Sequence, residues 1–282
     1  MAHRRAGRGG ASRWPHRRGP APGSVRLSVV IPAFQEADAI GAAIERIRAE
    51  LADVAASGGL EVVVVDDGSV DGTAEVARRH GADQVVAFGA NRGKGAAVRA
   101  GVSVARGRAV AFTDADLSYA PAQVADLLDR VEQGWDVVVG NRRHGDTTTV
   151  AEASRLRALG GRAINVASRT VLAGTYCDTQ CGLKAFRSDV AHLIFSHGLI
   201  DGFAFDVEVF HLAERYGLSL VEVPVRVENF DRSTVRVARD AALLLMDLVR
   251  IAVLAARGRY DLAPGELEGL GSAGADHAGA RH

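Results

Sequence analysis

The amino-acid sequence predicts an α/β fold built on a mostly parallel, doubly wound sheet. Short apolar runs of strand length alternate with segments of helical spacing through the first half of the chain. Some runs, such as VVVV at 62–65, are apolar at consecutive positions, which is typical of strands buried on both faces. The loops are short, and strand–helix alternation with short loops favours parallel strands joined by right-handed crossovers.

Five strands and their intervening helices account for the chain up to Asn141. The predicted strands are residues 26–31, 61–67, 84–88, 109–113 and 135–141. The predicted helices are residues 39–54, 71–80, 93–105 and 121–131. Pro32 ends the first strand, and Gly58 with Gly59 ends the first helix, because proline and glycine interrupt regular structure.

Beyond Asn141 the alternation is lost, and this half is predicted to supply the wall of an acceptor site. Residues 142–160 are polar and rich in arginine. The segments predicted to be ordered are a helix at 161–173, a turn and strand at 176–187, a helix at 203–216 and a strand at 220–227. Pro224 falls within the last strand and indicates an edge position, since proline cannot donate to a neighbouring strand.

The composition is that of a globular protein and does not indicate a nucleic-acid partner. Lys+Arg and Asp+Glu both number 34 in 282 residues, so there is no net basic charge. Cys177 and Cys181 are expected to be reduced thiols, because no signal peptide is recognised in the sequence. We therefore expect a cytoplasmic protein.

Four regions are predicted along the chain. Residues 1–24 contain six arginines and no acidic residue, and they are predicted to form a disordered basic tail. Residues 25–234 form the α/β domain, and residues 259–282, rich in glycine and alanine, form a second disordered tail. Residues 235–258 are predicted to form an amphipathic helix. Two interpretations of that helix remain open: it packs on the core, or it lies in a membrane interface aided by its arginines.

Two carboxylates follow the fourth predicted strand. Asp114 and Asp116 come directly after the apolar run AVAF. In an open α/β sheet the carboxyl ends of the strands form the ligand-binding edge. A D-x-D triplet alone is weak evidence, but this position supports a site in which both carboxylates share Mg²⁺ or Mn²⁺ with a diphosphate.

Polar residues also lie at or just after the ends of the first two predicted strands, and each group either binds a ligand or forms an ordinary turn. Asp66 and Asp67, followed by Gly68, either bind a ribose or base or form an ordinary turn. The sequence PAFQE at 32–36 follows the first strand, and the absence of G-x-G-x-x-G there argues against a dinucleotide site.

Basic and acidic residues outside the strand ends are also candidates. Lys94 opens a helix after Gly93, where it can balance a diphosphate or form part of a solvated face. An arginine cluster after the fifth strand either binds phosphate or forms a solvated loop. Its members are Arg142, Arg143, Arg155 and Arg157.

Asp206 and Glu208 lie at the start of a predicted helix. Either they are there because the helix dipole favours carboxylates in a first turn, or they face an acceptor as an acidic pair.

Taken together, these segments resemble the family 2 inverting glycosyltransferases of the GT-A fold. The matching segments, in the family's order, are VVIPAFQE, VVVVDDGSVDGT, NRGKGAAVRAG, FTDADLS, DTQCGLKAF and GFAFDVEVF. The last two most resemble the branch of dolichyl-phosphate β-glucosyltransferases and their polyprenyl-phosphate relatives. The resemblance covers about residues 26–232.

The resemblance implies roles for individual residues. Pro32, Ala33 and Glu36 would lie along the nucleotide, and Asp66 and Asp67 would hold its base and ribose. Asp114 and Asp116 would bind Mg²⁺ or Mn²⁺ on the diphosphate of the nucleotide-sugar donor. Arg142 and Arg157 would contact phosphates between donor and acceptor. Asp206 occupies the place where many relatives with hydroxyl acceptors keep a catalytic base.

The resemblance also implies a reaction. The expected activity is transfer of a hexose from a nucleotide sugar, UDP-glucose first and GDP-mannose second, to a polyprenyl phosphate. Such an acceptor requires membrane access, so peripheral contact with the inner face of the cell membrane is expected, through the basic N-terminus and the 235–258 helix. The alternatives are a hydroxyl acceptor on a soluble glycan or protein, and a non-catalytic nucleotide-sugar-binding module.

Overall fold

A computed structural model describes residues 24–142, 171, 172, 174, 176, 178–228, 237–267 and 270 of this chain. Its strands are β1 (Val25–Ala33), β2 (Leu60–Asp66), β3 (Gln84–Ala87), β4 (Gly107–Phe112), β5 (Val137–Asn141), β6 (Lys184–Arg187) and β7 (Leu220–Pro224). Its helices are α1 (Ala37–Glu50), α2 (Ala52–Ala56), α3 (Thr73–Arg79), α4 (Lys94–Val104), α5 (Ala122–Glu132), α6 (Ser188–His197), α7 (Phe205–Arg215) and α8 (Val237–Ala256). The first predicted tail, residues 1–24, falls outside these residues except at Ser24. The second, residues 259–282, is described at 259–267 and 270, and its Tyr260 is fully buried, so this part of the predicted tail packs on the domain.

The described strands form one seven-stranded sheet in the order β3-β2-β1-β4-β6-β5-β7. β1 pairs in parallel with β2 and β4, β2 with β3, and β5 with β7. Only β6 is antiparallel, to both of its neighbours. The predicted α/β class with a mostly parallel sheet is therefore confirmed, and β7, which carries Pro224, lies at one edge of the sheet.

The position of β6 decides which loops meet at the ligand-binding edge. Lys184 is in register with Phe112 on one side and with Val139 on the other. Because β6 runs opposite to β4 and β5, its first residue lies where those two strands end. The segment 178–183 therefore enters the same edge as the residues that follow β4 and β5. The sequence predicts a strand here but not its place between β4 and β5.

Helices cover both faces of the sheet, as a doubly wound fold requires. One apolar cluster joins a face of the sheet to α4, α6, α7 and α8. A second cluster joins the opposite face to α1, α3 and α5. Each fully buried Ile, Leu, Val or Phe side chain in these clusters contributes about 1.5–3 kcal/mol.

The helices differ from the prediction at two places. The predicted helix at 39–54 is two helices, α1 and α2, because Leu51 leaves the helical conformation at φ −106° and ψ 24°. The sequence reading also missed α6, which follows β6 directly and buries Val190, Ile194 and Phe195. The predicted helix at 161–173 falls outside the described residues except at its end.

The last described helix packs one face on the domain and exposes the other. Leu244, Leu248 and Ile251 of α8 are buried in the cluster that contains α7. The opposite face exposes Met246 and Val249, with Leu243, Leu245 and Val253 beside them. Among the described residues, no helix is both long enough and apolar enough to cross a membrane.

Glu208, in α7, binds the segment before α7 and the segment after α8 through hydrogen bonds. Its carboxylate accepts hydrogen bonds from the backbone N–H of Leu199 at 2.7 Å and of Ile200 at 3.1 Å. It also accepts one from the hydroxyl of Tyr260 at 2.6 Å. Burial raises the pKa of Glu208, while these three donors favour its ionised form. Glu208 therefore stabilises the fold and is not available to an acceptor.

Replacing Glu208 with Gln is expected to destabilise the protein by about 2 kcal/mol or more, because an amide N–H₂ would face buried donors. Urea unfolding measures this change in the free energy of unfolding. The control is Glu75→Gln, which removes a surface ion pair with Arg78 and is expected to change stability by less than about 0.5 kcal/mol. Equal stability of the two variants would contradict the proposed role of Glu208.

Candidate active site

The candidate site lies at the carboxyl edge of the parallel strands. The residues after β1, β2 and β4 meet there, together with the start of α4 and the segment before β6. Two non-glycine residues at this edge have left-handed backbone conformations, Gln35 with φ 58° and Leu117 with φ 47°. Such conformations cost about 1–3 kcal/mol each and concentrate at functional sites.

Asp114 and Asp116 are held in one turn after β4. The backbone N–H and hydroxyl of Ser118 donate to Oδ1 of Asp116 at 3.0 and 2.9 Å. Burial raises the pKa of Asp116, and the neighbouring negative charge of Asp114 raises it further. The two carboxylates thus repel each other in a partly buried place, which a cation would relieve.

Gly182 provides the space that Asp114 occupies. A Cβ atom at position 182 would overlap Oδ2 of Asp114 well inside van der Waals contact. Because Gly182 belongs to the segment before β6, the antiparallel insertion of β6 is what brings this gap to the end of β4.

The carboxylates fit a divalent cation that is shared with a substrate. Asp114 and Asp116 offer hard oxygen donors, which Mg²⁺ and Mn²⁺ prefer. In the part of the chain that the structure describes, no cluster of three or more His, Cys, Asp or Glu residues is arranged for a metal. A site with two carboxylates leaves the remaining coordination positions to water and diphosphate oxygens, as Mg²⁺ commonly requires.

Lys94 contacts one of these carboxylates, that of Asp114, directly. It is the first residue of α4, and its Nζ lies 2.5 Å from Oδ1 of Asp114. Burial acts to lower the pKa of Lys94, but the charges of Asp114, Asp206 and Asp116 outweigh it, so the pKa is raised. Lys94 therefore stays protonated within a group of three carboxylates.

Asp206 is paired with a lysine inside the protein. Nζ of Lys184 donates to Oδ1 of Asp206 at 2.5 Å and to the backbone oxygen of Cys181 at 2.6 Å. Lys184 is 0% exposed and Asp206 is 3% exposed. Burial raises the pKa of Asp206, while the charges of Lys184 and Lys94 oppose that rise. The structure thus separates the predicted acidic pair: Asp206 contacts Lys184, and Glu208 contacts Tyr260.

The carboxylates of Asp66, the last residue of β2, and Asp67, which follows it, bind the backbone of neighbouring loops. Oδ1 of Asp66 accepts a hydrogen bond from the N–H of Ser69 at 2.9 Å. The two oxygens of Asp67 accept from the N–H groups of Arg92 at 2.7 Å and Gly93 at 2.9 Å. Burial raises the pKa of Asp67, although these two N–H groups oppose the rise. Asp67 therefore ties the end of β2 to the loop that precedes Lys94.

Backbone N–H groups at the N-terminus of α4 are bound by another loop of the protein. The N–H groups of Gly95 and Ala96 donate to the backbone oxygen of Asp201 at 2.7 and 3.2 Å. A Cβ at Gly93 or Gly95 would collide with the backbone of residues 200–201. The glycines therefore allow close approach of two loops, and these two N–H groups already have a partner.

The loop after β1 is fixed by side chains from the loop after β2. Backbone N–H groups of Gln35, Glu36 and Ala37 donate to Ser69, Thr73 and Asp71, at 2.8, 3.0 and 3.0 Å. Pro32 and Ala33 lie in the last part of β1, in register with Val65 and Asp66. The residues predicted to line the nucleotide thus form one continuous wall.

Arg142 makes a two-pronged ion pair at the end of β5. Its Nε and Nη2 donate to the carboxylate of Asp178 at 2.6 and 2.8 Å. Burial acts to lower the pKa of Arg142, but the hydrogen bond to Asp178 outweighs it and holds that pKa well above its usual value. Arg143, Arg155 and Arg157 lie outside the described residues.

Sequence reasoning did not single out Lys184, Gly182 or Asp178 as site residues. Lys184 had a visible signal, since a lysine between Leu183 and Ala185 interrupts an apolar strand and requires a partner when buried. Gly182 and Asp178 gave no comparable signal, because their importance depends on how β6 pairs.

Comparison with known proteins shows the family of this chain. The family described as glycosyl transferase family 2 matches residues 28–194. This chain belongs to glycosyltransferase family 2. It is similar to the dolichyl-phosphate β-glucosyltransferase of Drosophila melanogaster, with 34% identity over 227 residues, covering 74% of this chain and 69% of that protein. The enzyme of the same name from Saccharomyces cerevisiae is 30% identical over 255 residues, covering 83% and 76%.

These relatives confirm the branch that the sequence motifs resemble, and the protein is a glycosyltransferase. Solved structures confirm the fold. Mannosyl-3-phosphoglycerate synthase from Rubrobacter xylanophilus aligns with TM-score 0.59 and 24% identity, covering 86% of this chain and 78% of that one. Glucosyl-3-phosphoglycerate synthase from Mycobacterium tuberculosis, solved with Mn²⁺, UDP and glucosyl-3-phosphoglycerate, aligns with TM-score 0.62 and 23% identity, covering 80% of each chain.

Replacing Gly182 with Ala is expected to lower the glycosyltransferase's kcat/KM by about 100-fold, because the added methyl group displaces the Asp114 carboxylate. Initial rates of nucleotide release from a sugar nucleotide measure the loss. The control is Gly89→Ala, since a Cβ there has no atom within 4 Å, and its activity is expected to be unchanged. Full activity of Gly182→Ala would show that Asp114 does not need this space.

Proposed function

We propose that this protein transfers a hexose, with inversion, from a nucleotide sugar to a polyprenyl phosphate such as dolichyl phosphate. Within this proposal UDP-glucose is the preferred donor and GDP-mannose the second. The acceptor class is inferred from the buried ion pair between Asp206 and Lys184. The names of the similar dolichyl-phosphate β-glucosyltransferases support the same acceptor.

The state of Asp206 bears on the acceptor because hydroxyl and phosphate nucleophiles differ in their need for a base. A hydroxyl must lose its proton during attack, which a positioned carboxylate usually accepts. A phosphate monoester has its second pKa near 6 and is largely ionised at neutral pH. Asp206 is 3% exposed and bound to Lys184, so it is poorly placed to receive an acceptor's proton. A phosphate acceptor requires no such transfer.

The donor would be held along the wall formed by the loops after β1, β2 and β4. Pro32, Ala33 and Glu36 would line the nucleotide, and Asp66 and Asp67 would position its base and ribose. Asp114 and Asp116 would hold Mg²⁺ or Mn²⁺, which supplies Lewis-acid stabilisation of the leaving diphosphate. Lys94 would add a second positive charge beside that diphosphate.

The transfer then depends mainly on positioning and electrostatics. An oxygen of the acceptor phosphate forms a bond to the anomeric carbon from the face opposite the nucleotide. The bond from that carbon to the diphosphate oxygen breaks, and the nucleoside diphosphate leaves with the electron pair. Arg142, fixed by Asp178, would contact a phosphate between donor and acceptor, and Arg157 is proposed for the same role.

Substitution of Asp206 alone does not distinguish the two acceptor classes. Asp206→Asn would leave the charge of Lys184 buried without its partner, at a cost of about 3–5 kcal/mol. A loss of turnover in that variant would therefore combine damage to the fold with any loss of a base. The acceptor has to be identified from the product.

Purified protein with Mg²⁺ or Mn²⁺, a short polyprenyl phosphate and UDP-glucose is expected to yield a sugar product that partitions into organic solvent. GDP-mannose in a parallel reaction tests the second donor. Asp116→Asn is expected to lower this yield by at least about 100-fold, because it removes charge from the metal site. The control is Asp126→Asn on the exposed side of α5, which is expected to retain full activity.

Other outcomes of this assay exclude the proposed acceptor or the proposed reaction. Metal-dependent release of nucleotide without a lipid product would indicate a hydroxyl acceptor in place of the phosphate. Binding of the sugar nucleotide without any release would indicate a non-catalytic binding module.

We further propose that the outer face of α8 contacts the membrane from which the lipid acceptor comes. Met246 is 60% exposed and Val249 is 64% exposed, and both lie on the side opposite the buried Leu248. Arg250 and Arg257 are also exposed and can meet anionic headgroups. An apolar face flanked by arginines is typical of helices that lie in a membrane interface.

Met246→Glu is expected to weaken binding to vesicles of phosphatidylcholine and phosphatidylglycerol by about tenfold or more. The cause is loss of an apolar anchor and repulsion from anionic lipid, and co-sedimentation measures it. The control is Val70→Glu, which adds the same charge at an apolar residue that is 90% exposed outside α8. Equal vesicle binding by both variants would exclude this face as the contact.

A further inference from the structure

We infer that Lys94 is an internal counter-ion that occupies Asp114 when no metal is bound and transfers to the donor diphosphate when metal and donor enter. This inference rests on the proposed function, since it assumes a divalent cation at Asp114 and Asp116. It adds a competition between lysine and metal for one carboxylate, which makes binding of the metal depend on the donor.

The contact between Lys94 and Asp114 is direct and lies at the position that a metal would need. Nζ of Lys94 lies 2.5 Å from Oδ1 of Asp114, and both side chains are partly buried. The other oxygen of Asp114 lies against Gly182, where there is no room for a side chain. A cation approaching Asp114 therefore meets the ammonium group of Lys94 at one of the two carboxylate oxygens.

The backbone of Lys94 is fixed, so only its side chain is free to move. The residues on both sides of it, Gly93 and Gly95, contact the backbone at Asp201. Gly93 is also bound through its N–H to Asp67. A lysine side chain has several rotatable bonds, so its ammonium group can move within the site while its Cα stays in place.

The charges of the site explain why the ammonium group would move. The charge of Asp206 also acts on Lys94, but Asp206 is neutralised by its ion pair with Lys184, and the direct contact of Lys94 is with Asp114. These two carboxylates and Lys94 together carry one negative charge. Adding a divalent cation makes the group positive by one charge, and the lysine is then repelled by the metal. The diphosphate of a nucleotide sugar, which is negative, supplies a new partner for the displaced ammonium group.

Competition of this kind links the two ligands. In the free enzyme a metal must displace Lys94 from Asp114, which lowers the metal affinity. A bound diphosphate draws Lys94 away and adds its own oxygens to the metal, so it raises that affinity. By reciprocity, the metal raises the affinity for the nucleotide by the same factor.

Binding of Mn²⁺ to the free protein tests the inference without any turnover. Free Mn²⁺ is measured by electron paramagnetic resonance in titrations of wild type and Lys94→Met, with and without UDP or GDP. Lys94→Met is expected to bind Mn²⁺ about tenfold more tightly than wild type when nucleotide is absent, because Asp114 has lost its competitor. The gain in Mn²⁺ affinity caused by the nucleotide is expected to be smaller in this variant than in wild type.

The matched control is Arg92→Met, which removes one positive charge from the same loop. Arg92 is exposed and lies over the ring of Phe88 at 4.8 Å, and its hydrogen bond to Asp67 is donated by its backbone N–H. Its Mn²⁺ affinity is expected to equal that of wild type. A similar gain in both variants would mean that loss of any nearby positive charge suffices, which would overturn the specific role of Lys94.

Asp114→Asn separates failure of the inference from failure of the proposed function. If Mn²⁺ binds to wild type through Asp114 but Lys94→Met binds it no more tightly, the inference is wrong and the metal site stands. If wild type, Lys94→Met and Asp114→Asn all bind Mn²⁺ equally, Asp114 is not a metal ligand, and both the inference and the metal site in the proposed function fail.

Discussion

The ion pair between Lys184 and Asp206 is the interaction on which the rest of the site depends. A lysine that is 0% exposed would cost several kcal/mol without a partner. Its charge is met by Asp206 and by the backbone oxygen of Cys181, with the rings of Phe112 and Phe210 at 5.4 and 5.9 Å. Because Lys184 starts β6 and Asp206 lies in the first turn of α7, the pair fixes both elements against the end of β4.

This pair also determines which charged groups remain at the candidate site. Asp206 is paired with Lys184 inside the protein, and the direct contact of Lys94 is with Asp114 after β4. Positive and negative groups therefore alternate from the core outwards, through Lys184, Asp206, Lys94 and Asp114. The Lys184–Asp206 pair is held inside the protein and needs no rearrangement when ligands bind, so the proposed exchange is confined to Lys94 and Asp114.

The sequence predicts the parts of this arrangement that depend on local pattern. Consecutive apolar residues identify β1, β2 and β4, and the rule that ligands bind at carboxyl ends of parallel strands selects Asp66 and Asp114. The position of β6 is not predictable in this way. The strand has only four residues, KAFR, and so short a pattern does not show which strands it pairs with or whether it is parallel to them. The role of Gly182 follows only from that pairing, and the sequence shows that Lys184 needs a partner when buried but not which residue the partner is.

The same packing places α8 beside the loop that contacts Gly93, the neighbour of Lys94. α8 and α7 share one apolar cluster, so the exposed face of α8 has a fixed relation to the site. A Cβ at Gly202 would lie 3.0 Å from Oδ2 of Asp247 on α8, and Gly93, next to Lys94, lies against the backbone of Asp201 and Gly202. If the outer face of α8 rests on a membrane as proposed, the loop at 201–202 is the link between the lipid surface and Lys94. A headgroup phosphate entering beside this loop would approach the side of the site where the donor diphosphate is expected, with its lipid tail still in the bilayer.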